Sequence, residues 1–187
     1  MTVENAYPLV IRMRMIKSMR EIEMMKQAIY LTNQGLKAIV QTLKPNMYEY
    51  QVGALFSYVV ADKANAQLAF PTIAASGKNA TILHYPTLSE KMREGSLVLL
   101  DLGAAFGQYN ADISRTYPVN GVFNSLQKSL YEIVLSCNKA VIAFAAPGKT
   151  LVDLQAFATN FMAGKLLSEG FIKATEDISK VYYHNVS

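Results

Sequence analysis

The sequence predicts an α+β fold in which a pair of helices followed by strands occurs twice. Apolar residues recur at spacings of three and four in residues 18–43, 126–145 and 154–167, as in amphipathic helices. Short apolar or alternating stretches between residues 66 and 118 are typical of strands. The breaks "LKPNMYEYQ" and "AAPGKTLVDLQ" resemble each other and each separates two helices. The pattern indicates a duplicated unit whose second copy has only begun its strand at "KVYYHNVS".

The composition fits one domain with a real core. The chain has 187 residues, of which 51% are hydrophobic and 17% are charged, whereas soluble globular chains have about 25% charged residues. We therefore expect a single domain over residues 1–187, with apolar surface that meets a partner. A homo-oligomer or another self-associated state would cover such a surface.

Two classes of partner are not expected. No run approaches the roughly 20 apolar residues of a membrane span, and "MTVENAYPLV" lacks the basic start of a signal peptide. The basic segment "RMRMIKSMR" contains methionines and isoleucines but no aromatic residue for base stacking. We expect a cytoplasmic protein that binds neither a membrane nor a nucleic acid.

Each helix pair has recognisable signals at its ends. In the first pair Pro45 ends one helix, and Asn46 with Glu49 would form the cap of a second helix that runs to about Asn65. The first helix has an apolar stripe formed by Ile22, Met25, Ile29, Leu36, Ile39, Val40 and Leu43.

In the second pair, Thr150 and Asp153 would form a capping box. Cys137 cannot form an internal disulfide, because it is the chain's single cysteine, and its apolar surroundings predict a buried side chain.

Two carboxylates lie in a predicted hairpin formed by "SLVLLDLGA" and "QYNADISRTYPV". A two-residue turn at Phe106 and Gly107 would place Asp101 directly opposite Asp112. Like charges in that position are destabilising unless a cation lies between them, and divalent ions prefer carboxylate oxygens. A longer loop would shift the register, and one acid could then cap a turn while the other is solvated.

The hairpin and three other segments of the chain resemble the motifs of one known protein family. The segment "DLGAAFGQYNADISRTYPVNG" resembles the metal-ligand hairpin of the pita-bread metallopeptidases, in the Xaa-Pro aminopeptidase and Xaa-Pro dipeptidase (prolidase) branch. The segments "RMIKSMREIEMMKQA", "SGKNATILHYP" and "YYHNVS" are similar to that family's opening helix, its histidine loop and the start of its "HG-x-SH" motif. Asn185 stands where the family usually has glycine.

The resemblance implies an incomplete pita-bread fold with Asp101 and Asp112 as metal ligands. It implies that His84 and His184 are catalytic and contact the substrate, although alone each would be an ordinary loop or strand histidine. The complete enzyme would hold two divalent ions, Mn²⁺ most often in this branch, and would cleave peptides with proline in the second position.

The same resemblance implies that the chain is only part of a catalytic domain. The family's remaining ligands, one histidine and two glutamates, would follow Ser187, and its usual N-terminal domain would be absent. We therefore expect a truncated catalytic domain that binds metal weakly or not at all and is inactive on its own. The alternative is a non-catalytic pita-bread module that binds peptides or proteins, although retention of both aspartates favours a peptidase.

Overall fold

The computed structural model of the chain describes residues 4–173. The strand predicted at "KVYYHNVS", together with His184, lies outside the described residues. The chain divides into two compact units, Met1–Val122 and Phe123–Ser187.

Three helices open the first unit: α1 (Tyr7–Met15), α2 (Met19–Thr42) and α3 (Glu49–Ala64). The long helix predicted over residues 18–43 is confirmed as α2, and Ser18 and Glu21 form a capping box at its start. Its buried face contains Ala28, Leu31, Thr32, Gly35, Leu36 and Ile39. Ile29 and Val40 of the predicted stripe are exposed, because they lie beside this face.

The predicted cap of α3 is wrong. Asn46 has a positive φ of 73° and belongs to the turn before the helix, whereas Tyr48 is the N-cap and its N–H donates to Gln51 Oε1. Glu49 is therefore the first helical residue, and its side chain is buried rather than used for capping. The helix ends as predicted, with Asn65 in the left-handed conformation.

Six short strands and a 3₁₀ helix follow: β1 (Gln67–Leu68), β2 (Ile73–Ser76), the 3₁₀ helix (Gly77–Thr81), β3 (Leu97–Leu102), β4 (Ala104–Phe106), β5 (Tyr109–Asn110) and β6 (Ile113–Pro118). They form two antiparallel sheets with the orders β1-β4-β5 and β2-β3-β6. The chain passes from one sheet to the other at Gly103, between β3 and β4.

The hairpin register differs from the predicted one by two residues. Phe106 pairs with Tyr109, so that the turn residues are Gly107 and Gln108, and Asp101 pairs with Ser114 instead of Asp112. Both turn residues have a positive φ. This conformation is unfavourable for a bulky residue, so Phe106 is a poor turn residue. Because a shift of two residues keeps every side chain on its face, Asp101 and Asp112 still lie on the same face.

The core of the first unit lies between the helices α2 and α3 and the strands. Along β3, Val98, Leu100 and Leu102 are buried in this core, while the alternate residues, Asp101 among them, are only partly buried. This alternation directs Asp101 away from the core. The buried cluster comprises Leu31, Leu36, Ile39, Val52, Phe56, Val60, Ala74, Met92, Val98, Leu100, Leu102, Ala104 and Val119.

The second unit contains the helices α4 (Ser125–Phe144) and α5 (Leu151–Ser168). Both predicted helices are confirmed, and so is the capping box of Thr150 and Asp153, although α5 begins directly after Thr150. Cys137 is buried as predicted, in a small core with Ile133, Ala158 and Met162.

Over residues 4–173, no helix has the length and apolar character that crossing a membrane requires.

Candidate active site

One cavity of the first unit brings together three of the four residues that the sequence singles out. It has a volume of about 510 Å³, and its wall includes His84, Asp101 and Asp112. The rest of the wall is mostly apolar and consists of Phe70, Pro71, Thr72, Ile73, Tyr85, Pro86 and Leu88. An apolar pocket with a few convergent polar groups is the usual form of a ligand site. His184, the fourth residue, lies outside the described residues.

Asp101 occupies the central strand of its sheet. It pairs with Ile73 of β2 on one side and with Ser114 of β6 on the other, so the backbone is held on both sides. The Ser114 hydroxyl donates a hydrogen bond of 2.8 Å to Asp101 Oδ1. The contact orients the carboxylate.

Asp112 follows the point at which the two sheets separate. The N–H of Ala111 donates to the carbonyl oxygen of Ala104, and the carbonyl oxygen of Ala111 lies against the Cα atom of Gly103. A side chain at position 103 would overlap this carbonyl oxygen, so glycine is required for the close approach. The crossing places Asp112 on the same cavity as Asp101.

The two carboxyl groups interact. Partial loss of water around the Asp112 carboxyl, and then the negative charge and contact of Asp101, raise the pKa of Asp112 above its ordinary value. Two carboxylates this close together fit a hard divalent cation, whose positive charge would relieve the repulsion at Asp112. In the described part of the chain, no group of three or more histidine, cysteine, aspartate and glutamate side chains could hold a metal ion. The residues present therefore fit part of a metal site.

His84 reaches the cavity from the loop after the 3₁₀ helix. It is exposed and has a positive φ of 53°, a conformation that histidine adopts more readily than most residues. Its neighbour Tyr85 is buried, and the Tyr85 hydroxyl donates a hydrogen bond to Glu49 Oε2. The imidazole is therefore accessible while the backbone beside it is anchored.

Sequence reasoning missed three residues near this site: Ser114, Thr72 and Glu49. Ser114 was hidden by the wrong register. The Thr72 hydroxyl oxygen is buried and has no hydrogen-bond partner in the described structure, which no local pattern reveals. From the sequence, Glu49 was interpreted as a capping residue. Its position directly before the apolar face of a helix was the available signal that its side chain is buried.

Comparisons with known proteins identify the family of the chain. The sequence profile of Metallopeptidase family M24 matches residues 23–187. An Xaa-Pro aminopeptidase from Haemophilus influenzae is 34% identical over 170 residues, which are 91% of this chain and 40% of that protein. An Xaa-Pro dipeptidase from Pyrococcus horikoshii is 36% identical over 151 residues, which are 81% of this chain and 43% of that protein.

A solved structure is also similar over nearly the whole chain. It is a Bacillus anthracis protein with the provisional name aminopeptidase P, which is 41% identical and superposes with a TM-score of 0.94. The match covers 99% of this chain and 44% of the solved one. The predicted α+β, pita-bread fold is thus confirmed for the part that the chain covers.

The chain spans less than half the length of these two curated relatives, 40% of one and 43% of the other. The profile match covers residues 23–187, which is most of the chain. The chain therefore belongs to Metallopeptidase family M24, whose members depend on divalent metal ions.

Proposed function

We propose that this chain forms part of the active site of an Xaa-Pro peptidase with the length of its relatives. The observation that carries the proposal is that His84, Asp101 and Asp112 line one and the same cavity. The Xaa-Pro names of the similar proteins support the choice of substrate. The reaction is hydrolysis of the amide before proline in the second position, a bond whose nitrogen carries no hydrogen.

Asp101 and Asp112 are the proposed ligands of two divalent ions. Carboxylate oxygens suit Mg²⁺, Ca²⁺ and Mn²⁺ better than soft metals, and Mn²⁺ is our choice among them. When bound, the ions supply the Lewis acid that lowers the pKa of water and polarises the scissile carbonyl. The role of the two aspartates is to hold negative charge at fixed positions, with Ser114 orienting Asp101.

His84 has the proposed role of proton transfer at the scissile amide. In the hydrolysis, water adds to the carbonyl carbon, the carbon–nitrogen bond breaks, and the leaving nitrogen takes a proton. An accessible imidazole on the cavity wall is suited to that transfer. His184 remains a predicted second histidine that contacts the substrate.

The alternative is a non-catalytic module that binds peptides or proteins in the same cavity. The apolar wall alone would serve such a module. It would have no need for two mutually repelling carboxylates, and their joint presence favours a peptidase.

The chain by itself is expected to have little or no activity, because two carboxylates are a poor site for two ions. Its cytoplasmic location, its organisation as a single catalytic domain and its lack of nucleic-acid or membrane partners stay predictions.

The experiment uses a protein that contains this chain and has the full length of its relatives. With Mn²⁺ it should release the first residue of an Xaa-Pro peptide, while the 187-residue chain should not. Asp101→Ala and Asp112→Ala should each abolish turnover and lower the bound metal. His84→Ala should lower the rate by about 100-fold or more while keeping the metal.

The matched control is Asp62→Ala, which removes an exposed carboxylate from α3 and should leave turnover unchanged. If the long protein still cleaves Xaa-Pro bonds after both Asp101 and Asp112 are replaced, the proposed function is wrong. Peptide binding without cleavage, unaffected by those replacements, would favour the binding module.

A further inference from the structure

Glu49 has an unusual environment for a carboxylate. Its side chain is fully buried in the first unit and accepts five hydrogen bonds. Oε1 accepts from Ser76 N at 2.7 Å, Ser76 Oγ at 2.8 Å and Asn79 Nδ2 at 3.1 Å. Oε2 accepts from Tyr85 Oη at 3.1 Å and from Glu90 N at 3.0 Å. We call these five residues the Glu49 cluster.

These contacts require both side-chain oxygens of Glu49 to act as hydrogen-bond acceptors. The two backbone N–H groups, from Ser76 and Glu90, can only donate. The ion pairs that the structure describes in residues 4–173 do not include Glu49. Both oxygens therefore accept hydrogen bonds from uncharged donors, and a side-chain amide could not satisfy all of them.

The cluster joins segments that are distant in sequence. Its partners lie 27 to 41 residues after Glu49, at the end of β2, in the 3₁₀ helix, beside His84 and before β3. Tyr85 is held twice, because Asn79 Nδ2 also donates to its hydroxyl at 2.9 Å. One carboxylate thus fixes both ends of the loop that carries His84.

The imidazole of His84 depends on this anchoring. Within the described structure no hydrogen bond is formed by the His84 side chain, and its backbone has a positive φ. The fixed neighbour is Tyr85, which lines the same cavity. Loss of the Tyr85 contact would leave the loop free to take other conformations that move the imidazole from the cavity.

We propose that Glu49 is a positioning residue, which holds His84 at the cavity through Tyr85 and Asn79. The catalytic consequence rests on the proposed function, whereas the structural consequence does not. Two measurements therefore test the two parts separately.

The structural test uses the 187-residue chain labelled with ¹⁵N-histidine. The chain has two histidines, and His184→Gln assigns the His84 signals. Glu49→Gln and Tyr85→Phe should both shift or broaden the His84 ring signals under conditions where the chain stays folded. Thr32→Val is the matched control, because it removes a buried hydrogen bond outside the cluster, which Ala104 N donates to Thr32 Oγ1, and it should leave those signals unchanged.

If His84 is unchanged in folded Glu49→Gln and Tyr85→Phe, the proposal is overturned. Should Glu49→Gln fail to fold, Tyr85→Phe decides, since it keeps the carboxylate and its four other donors. An equal change in Thr32→Val would also overturn the proposal, because a general loss of stability would then explain the result.

The catalytic test uses the longer protein described above. Glu49→Gln and Tyr85→Phe should lower kcat about 10- to 100-fold with little change in KM and with the metal content kept. Thr32→Val should keep kcat. If the unaltered protein does not cleave Xaa-Pro peptides, the proposed function fails while the histidine signals still decide the role of Glu49. An unchanged kcat in both cluster variants of an active protein would overturn the positioning role.

Discussion

The Cα atom of Gly103 packs against the carbonyl oxygen of Ala111, so closely that a Cβ atom at position 103 would overlap that oxygen. The contact lies between Asp101 and Asp112 and separates the two sheets. Gly103→Ala should therefore lower the free energy of unfolding by about 1–3 kcal/mol, because backbone must move to accept the methyl group.

Thermal unfolding measures this loss. Gly164→Ala is the matched control, since nothing lies within 4 Å of a Cβ atom at that position of α5, and it should stabilise the chain by about 0.5–1 kcal/mol. A neutral Gly103→Ala would contradict the close crossing.

The repulsion between Asp101 and Asp112 predicts that Asp112→Asn stabilises the metal-free chain at neutral pH. Like charges close together on one face of a sheet cost a few tenths to about 1 kcal/mol. The pKa of Asp112 is raised in the folded chain. The contribution of this carboxyl to the free energy of unfolding is therefore fully present below its ordinary pKa of 3.8 and is lost as the pH rises through the raised pKa. The gain from Asp112→Asn should thus vanish in acid.

Melting curves from pH 3 to pH 7 in a chelator test this prediction. Asp62→Asn, at an exposed position of α3, should change little at any pH. A clear loss of stability in Asp112→Asn would show that the carboxylate makes a structural contact instead.

Two carboxylates without a described third ligand predict weak binding of Mn²⁺ to this chain. Calorimetric titration should give a small signal that disappears when both Asp101 and Asp112 are replaced by asparagine. Tight binding of two ions per chain would contradict the prediction and would require further ligands.

The hydrogen bond from Tyr109 Oη to Glu21 Oε1, 2.7 Å long, predicts a pH-dependent contribution to stability. This bond, followed by those of Ser18, lowers the pKa of Glu21 from 4.5 to about 2. The contribution is present above pH 4.5 and is lost as the pH falls toward 2. Tyr109→Phe should therefore lower the melting temperature at pH 7. The difference in melting temperature between this variant and the unaltered chain should narrow as the pH falls from 4.5 to about 2.

The control for this change is Tyr58→Phe, at an exposed tyrosine of α3. It should change neither the melting temperature at pH 7 nor the dependence of the melting temperature on pH. A difference that stays constant from pH 7 to pH 2 would contradict the assigned bond.

Exposed apolar side chains predict that the chain associates with itself. Along α4 they include Leu126, Val134 and Ile142, and such surfaces favour association. Light scattering should show a mass that rises with concentration, and an apolar dye should bind. A monomer at high concentration without dye binding would contradict this.

The helices α2 to α5 could be predicted from the sequence because their signals are local, whereas α1 was not predicted. The predicted capping box of Thr150 with Asp153 lies within four residues of the chain. The three predicted residues that the structure describes around the cavity, His84, Asp101 and Asp112, were likewise found from motifs.

The parts that failed depend on contacts between distant residues or on backbone angles. The hairpin register was decided by positive φ angles at Gly107 and Gln108, which a pattern of apolar residues does not report. Glu49 looked like a cap because its five donors become visible only when segments up to 41 residues away are assembled. Burial of an acid is a tertiary property.

The position of the cavity along the chain has a consequence for folding. All of its described wall lies in residues 70–112, inside the first unit, and β3 pairs with strands that are near it in sequence. Short separations keep the loop-closure entropy small and favour rapid formation. During synthesis, which proceeds from the N-terminus, the cavity with its two carboxylates can therefore assemble while α4 and α5 are still being translated.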